Sequence, residues 1–283
     1  MKSLTLLFIH FLILNQIFAL SPDRNYKMTP DSLGLNFEEK SILTPDHANI
    51  KLWHIKSSEE TNNQNTIIIC YGDAGNMSWW LNQASILSQI GYNVIMFDYR
   101  GFGQSSEFKI NKDMLYYNEF ATDLETVIKW TKQNVKSKNT GLLSFSMGTI
   151  MSTIAVQSEP VDFIIAEGYV LNPENIKQKI KELKGKEILL PNDSEKYEEK
   201  ISYINCPMLV FSGSKDIVTT LQDSENIVAQ KNNRNLIEFD GGHLEGFQAL
   251  SKEYYGQQYV EEITKFINEK DDNDTRIQTE RQK

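Results

Sequence analysis

Two kinds of hydrophobic pattern alternate along this chain. Short unbroken apolar runs recur in "TIIICYG" (66–72), "YNVIMFDYRG" (92–101), "GLLSFS" (141–146), "VDFIIAEG" (161–168), "CPMLVFSG" (206–213) and "RNLIEFDGG" (234–242). Runs of this length, rich in β-branched residues and without polar alternation, suit strands buried on both faces. Between them lie segments with helical spacing: "MSWWLNQASILSQIG", "NEFATDLETVIKWTKQN", "GTIMSTIAVQS", "TLQDSENIVAQK" and "KEYYGQQYVEEITKFINEK". Strands alternating with helices predict an α/β fold, a mostly parallel sheet with helices on both faces. Ahead of them, residues 37–56 alternate apolar and polar positions around a Pro-Asp turn, which predicts an antiparallel N-terminal hairpin.

Three stretches break this rhythm. Residues 171–205 are rich in lysine and glutamate and too long for a simple crossover. They predict a crossover helix with a short cap insertion. Residues 22–37 are polar and punctuated by Pro and Gly, as expected of a loosely held arm. Residues 270–283 are charged and free of aromatics, which predicts a disordered tail. The expected globular domain is therefore 22–269.

The first 21 residues carry one early positive charge, Lys2, followed by an apolar run, and Ala19 and Ser21 stand at the −3 and −1 positions of a cleavage site. This reads as a secretory signal peptide and an exported, periplasmic or extracellular, protein. The alternative is a membrane anchor formed by an uncleaved N-terminal helix, near the lower length limit of roughly 17 residues and interrupted by His10, Asn15 and Gln16. A membrane partner is expected only in that case. The net charge of −9 over 283 residues argues against a nucleic-acid partner, which calls for a basic face. Sequons at Asn76, Asn192 and Asn273 matter only in a host that glycosylates. Oligomeric state is not legible in the sequence.

Candidate chemistry gathers at strand ends. Ser146 lies between a strand and a helix, with Ser144 two residues before it and Gly148 two after. A nucleophile on a sharp strand-to-helix turn needs small residues at both positions. Asp216 follows a strand in "SGSKDIV", and His243 follows the last strand in "GGHLEGF". Each alone also fits a plain role: a turn serine, an aspartate capping a helix, a solvated loop histidine. Together they give Ser, Asp and His in chain order at the C-terminal strand ends, where open α/β sheets bind ligands. The glycine-containing "CYGDAGN" (70–76) can aim backbone N–H groups at a developing oxyanion, with Asp73 and Met147 as the two donors. Glu167 is a fallback acid. His47 and His54 lie in the hairpin. Trp79 and Trp80 read as core.

On "YGDAGN", "FDYRGFGQS", "SFSMG", "SGSKDIV" and "GGHLEGF" the chain resembles the α/β-hydrolase superfamily, in particular its small-capped serine aminopeptidase-like and Bem46-like members. The resemblance covers roughly residues 37–268. It implies a catalytic triad of Ser146, Asp216 and His243, an acyl-enzyme mechanism, and a small-molecule acyl substrate or short peptide. It implies no metal or organic cofactor. A carboxylic ester is the favoured substrate class. Peptidase or amidase activity, acyl transfer, and a catalytically inactive binding protein of the same fold are the alternatives. Asp98 and Arg100 are read as scaffolding. Three departures stand out: Tyr71 where the family has His, Asp73 beside the oxyanion site, and Ser144 for Gly. The implied strand order keeps Cys70 and Cys206 apart, as two free and largely buried thiols.

Overall fold

The computed structural model describes residues 19–58 and 60–281. The leader expected in the first 21 residues lies mostly outside the described residues. The described chain forms ten strands and eight α-helices: β1 (Ser21–Pro22), β2 (Phe37–Leu43), β3 (Asn49–Ile55), β4 (Asn65–Cys70), β5 (Ala74–Gly75), α1 (Leu81–Gln89), β6 (Asn93–Phe97), α2 (Asn118–Asn134), β7 (Asn139–Phe145), α3 (Met147–Ala155), β8 (Phe163–Glu167), α4 (Pro173–Lys184), α5 (Tyr197–Ser202), β9 (Met208–Gly213), α6 (Leu221–Val228), β10 (Arg234–Phe239), α7 (Gly246–Ala249) and α8 (Gln257–Arg281).

Eight strands make one sheet in the order β10-β9-β8-β7-β4-β6-β3-β2. The hairpin β2–β3 is antiparallel and β3 joins β6 antiparallel; every other pairing is parallel. Every residue of β4, β6, β7, β8 and β9 is buried, so those strands are covered on both faces, as their unbroken apolar runs predict. The chain leaves β4 for β6 on one side and then crosses to β7 on the other. That reversal opens a crevice at the C-terminal ends of β4 and β7.

The segment 171–205 holds α4 and α5. Asn172 caps α4 by accepting N–H bonds from Glu174 and Asn175, Pro173 opens the first turn, and Gly185 closes it in a left-handed conformation at φ 63°. The Leu189 N–H donates to Asp113 O (2.8 Å), and Leu115 N–H returns to Leu189 O (2.9 Å), so this segment is stitched to residues 113–115.

Two expectations about chain ends are corrected. The tail is not free of structure: α8 continues to Arg281. Lys270 and Asp271 fasten it to the start of β7 through Lys270 Nζ to Asn139 Oδ1 (2.9 Å), Asn139 Nδ2 to Asp271 Oδ1 (3.0 Å) and Lys138 Nζ to Asp271 Oδ2 (2.7 Å). Charge pattern alone hides such anchors. The arm is not loose either. Ala19 and Leu20 are buried, and both donate their N–H groups to Lys112 O. β1 pairs in parallel with β5, Ser21 opposite Ala74. Arg24 donates to the carbonyls of Phe102 (3.1 Å) and Ser105 (2.8 Å), and Tyr26 Oη to Asp98 Oδ2 (2.6 Å). The expected cleavage point after Ser21 thus falls inside packed structure.

Cys70 and Cys206 are free thiols. β7 and β8 lie between their strands, which at ~4.8 Å per strand puts them beyond disulfide reach. Burial pushes the Cys70 thiol up to about 12 and the Cys206 thiol up to about 11, so neither is a ready nucleophile.

In protein retaining residue 19 onward, Leu20→Ala removes a fully buried side chain. It is expected to cost about 2–4 kcal/mol and lower the melting temperature by roughly 5–15 °C in scanning calorimetry. An unchanged melt would mean the arm is not part of the fold.

Candidate active site

Ser146 sits between β7 and α3 with φ 48° and ψ −116°. Such a conformation costs a non-glycine residue on the order of 1–3 kcal/mol. It turns the chain sharply, so the strand ends and the helix starts within one residue. Its neighbours make the turn possible. A Cβ at Gly148 would collide with the Cys70 carbonyl. Ser144, where glycine is usual, is buried, and its hydroxyl shares a hydrogen bond with Ser152 Oγ (2.6 Å). Ser152 Oγ also donates to Gly148 O (2.9 Å). The extra hydroxyl is therefore satisfied. Ser146 N–H donates to Glu167 O (3.0 Å), across from β8.

The structure brings Ser146, His243 and Asp216 together. His243 Nε2 lies 2.9 Å from Ser146 Oγ, and His243 Nδ1 lies 2.8 Å from Asp216 Oδ2. Asp216 is buried, which by itself would raise its carboxyl. The imidazole of His243 and the hydroxyl of Thr219 outweigh that and hold it below its ordinary value. An ionised carboxylate only accepts hydrogen bonds, so His243 Nδ1 carries the proton. In the neutral ring, Nε2 then offers its lone pair to the Ser146 hydroxyl. Val218 and Thr219 N–H groups hold Asp216 Oδ1 at 2.8 and 3.0 Å.

Sequence reading missed Thr219. Its hydroxyl donates to Asp216 Oδ2 (2.7 Å) and lies 3.1 Å from His243 Nδ1. Three residues after an aspartate in a turn is a spacing at which such a contact recurs, and this is the signal that was available. Gly168 was also missed. At φ 64° it follows Glu167, and a Cβ there would stand 2.9 Å from His243 Cε1. The imidazole rests against bare backbone.

Asp73 follows β4, and Met147 is the first residue of α3. The first N–H groups of a helix have no intrahelical acceptor, so Met147 presents a donor beside Ser146. Gly72 lies against the elbow, its Cβ position 3.6 Å from Ser146 Cβ. The Asp73 carbonyl accepts the Ser21 N–H (2.8 Å) and Asp23 N–H donates to Gly75 O (2.8 Å). The loop's backbone is thus braced from its outer side.

Tyr71 points into the core. It is fully buried, and its hydroxyl donates to Asp98 Oδ1 (3.4 Å). Asp98 also accepts from Met77 N–H (2.9 Å), Tyr26 Oη and Gln104 N–H (3.1 Å). Burial raises its carboxyl above the ordinary range. Arg100 forms ion pairs with Asp46 (2.5 Å) and the buried Asp123 (2.7 Å). "FDYRGFGQS" is accordingly a structural hub under the loop 71–76.

The remaining candidates separate from the site. His47 occupies the hairpin turn and His54 lies within β3. Asp216, not Glu167, is the carboxyl hydrogen-bonded to the His243 ring. Trp79 departs from the core reading, while Trp80 packs against the core. Trp79 is 44% exposed, with Lys27 Nζ 3.4 Å above its ring, and half-buried Trp80 stacks on Phe145 at 4.2 Å. Asn76 is buried and its Nδ2 donates to Asp23 O and Asn25 O, so the folded chain cannot carry a glycan there. Among the described residues, no three His, Cys, Asp or Glu side chains are grouped to hold a metal ion.

The chain is similar to several known proteins. Residues 61–183 match the model of a family described as serine aminopeptidase, S33. The chain is 28% identical over 240 residues to the uncharacterized protein YfhR of Escherichia coli K12, covering 82% of each. It is 35% identical over 83 residues to the uncharacterized membrane protein YNL320W of Saccharomyces cerevisiae, covering 29% of this chain and 28% of that protein. Among solved structures, the Pyrococcus furiosus esterase Pf2001 superposes with a TM-score of 0.71 at 19% identity, over 88% of this chain and 99% of that one.

Two measurements test this geometry. Gly168→Ala should displace the imidazole and lower kcat by roughly 10²-fold, the scale of a 1 Å misplacement, when turnover is assayed on an ester. Wild-type turnover would show that the ring has room. Glu167 is pushed by burial up to about 7 from 4.5. Its contribution to stability is full below about 4.5 and is lost as pH rises through about 7, a change on the order of 3 kcal/mol at ~1.4 kcal/mol per unit. Denaturant titrations from pH 4.5 to 8 should show this decline in the wild type and a flatter course in Glu167→Gln.

Proposed function

We propose that the chain is a serine hydrolase of the α/β-hydrolase superfamily that cleaves carboxylic esters through an acyl-enzyme. The observation that carries this reading is the continuous relay from Ser146 Oγ through His243 to Asp216, at 2.9 and 2.8 Å, on a strained Ser146. Strain of this kind persists where surrounding structure enforces it and concentrates at functional sites.

In this mechanism Ser146 Oγ attacks the acyl carbonyl carbon while its proton passes to His243 Nε2. Asp216 stabilises the resulting imidazolium. The N–H groups of Asp73 and Met147 receive the oxyanion of the tetrahedral intermediate. Its collapse breaks the bond to the alcohol, which takes the proton from His243. Water, deprotonated by the same nitrogen, then releases the acid and restores Ser146. Asp73 contributes through its backbone.

The substrate is a small or medium acyl ester. The lysine- and glutamate-rich segment 171–205 favours a polar roof over a deep lipid tunnel. The same relay serves amides, and the serine aminopeptidase match to residues 61–183 keeps short peptides as the second substrate to test. The chain works outside the cytoplasm, carried there by its apolar N-terminus. Since residues 19 and 20 are bonded to Lys112 and residues 21 and 22 pair with the oxyanion loop, the active form retains them, with the leader cut further upstream or kept as an anchor.

A fluorophosphonate probe should label Ser146 in the purified protein, and Ser146→Ala should abolish labelling and lower ester turnover by at least ~10³-fold. Parallel assays of matched p-nitrophenyl esters and p-nitroanilides should favour the esters. A folded protein that the probe leaves untouched would overturn the hydrolase reading. Faster anilide cleavage would make it a peptidase.

A further inference from the structure

Glu167 was left without a role once Asp216 filled the acid position, yet it touches both sides of the reacting pair. It ends β8, opposite Phe145 of β7. Its carbonyl accepts the Ser146 N–H at 3.0 Å. Its Oε1 accepts the Gly246 N–H at 2.7 Å, three residues beyond His243. Between those residues the loop passes through Leu244 at φ 60°, a strained value for leucine. The fit is close: a Cβ on Gly246 would lie 2.8 Å from both Glu167 Oε1 and the Tyr259 ring.

The surroundings make a purely structural carboxyl an expensive choice. Glu167 is 1% exposed. The titratable groups that face it are His243 and Asp216 on the loops after β10 and β9, and Tyr255 and Tyr259 from the segment leading into α8 and from α8 itself. No lysine or arginine is among them. A buried acid without a cationic partner gains less than an apolar side chain of similar volume would.

We propose that Glu167 is a positioning residue for the reaction: its carbonyl holds the nucleophile, its carboxyl holds the loop carrying the base, and the two together set the Ser146–His243 separation. This rests on the serine hydrolase reading. A second effect follows from charge. Burial pushes the Glu167 carboxyl up to about 7. Below that pH it acts through its hydrogen bond alone. Above it, a negative charge faces the imidazolium that forms as Ser146 attacks, and acylation gains.

Glu167→Gln and Glu167→Ala separate these roles. Glutamine keeps an oxygen for the Gly246 N–H, so its ester turnover at pH 6 should stay within about threefold of wild type. Its kcat/KM still rises as His243 loses its proton, but should level off below that of wild type above pH 7. Alanine should lower kcat and the fluorophosphonate rate by roughly 10- to 100-fold with little change in KM, while circular dichroism shows a folded protein. Wild-type rates in the alanine variant, or glutamine as impaired as alanine, would overturn the proposal. A second readout needs no turnover: the low-field NMR resonance of the His243 Nδ1 proton should persist in wild type and Glu167→Gln and shift or vanish in Glu167→Ala. An unchanged resonance in Glu167→Ala also overturns it. If the wild type itself resists the probe, the hydrolase reading fails, and the resonance still decides the positioning role.

Discussion

The turn at Ser146 is the constraint on which the site depends. A serine at φ 48° is held there against its own preference, so its neighbours must supply the difference. β7 lies centrally, paired with β4 on one side and β8 on the other. The strand cannot shift to relieve the turn without breaking both ladders. α3 must start at once, so it packs so closely on the end of β4 that only glycine fits at Gly148. The Ser146 N–H is drawn to β8. Each of these contacts comes from a different strand, and the strain is stable only because the whole sheet is.

The same sheet fixes the loops that carry the other groups. Those loops need bracing, because loops are the least rigid part of an α/β fold. Asp98 supplies it beneath the oxyanion loop. One buried carboxylate gathers Tyr26 from the arm, Tyr71 from the end of β4, Met77 from the turn into α1 and Gln104 from its own loop. A tyrosine at 71 is therefore no defect in the loop. It reaches a partner that a histidine would meet differently. The N-terminal arm closes the other side of the loop through β1 and β5, which makes residues 19–26 part of the site's scaffold.

Most of the fold was legible because its strands are buried on both faces. Ile67, Ile68 and Ile69, or Phe163, Ile164 and Ile165, leave no polar position to mark a solvent side. The elbow was legible because close helix-on-strand packing restricts residue size at 144 and 148. What escaped depended on contacts distant in sequence. Nothing near Ser21 announces a two-residue ladder with Ala74, and nothing near Lys270 announces Asn139. Charged residues hide such anchors because the same letters also describe solvated tails. Thr219 and Gly168 escaped for a subtler reason: their importance lies in where His243 comes to rest, 24 and 75 residues later in the chain.

The two carboxyls nearest the base show how environment divides one chemistry into two. Asp216 and Glu167 are both buried, and burial raises each. Asp216 is met by two backbone N–H groups, a threonine hydroxyl and an imidazole, enough to keep it ionised. Glu167 accepts one backbone N–H, from Gly246, and faces the like charge of Asp216. The first carboxylate therefore pays for the second: once Asp216 is fixed as an anion, a neighbouring acid is easier to keep neutral. Such a pair, pushed apart by its surroundings, marks a site where one group sets the charge of the base and the other sets its place.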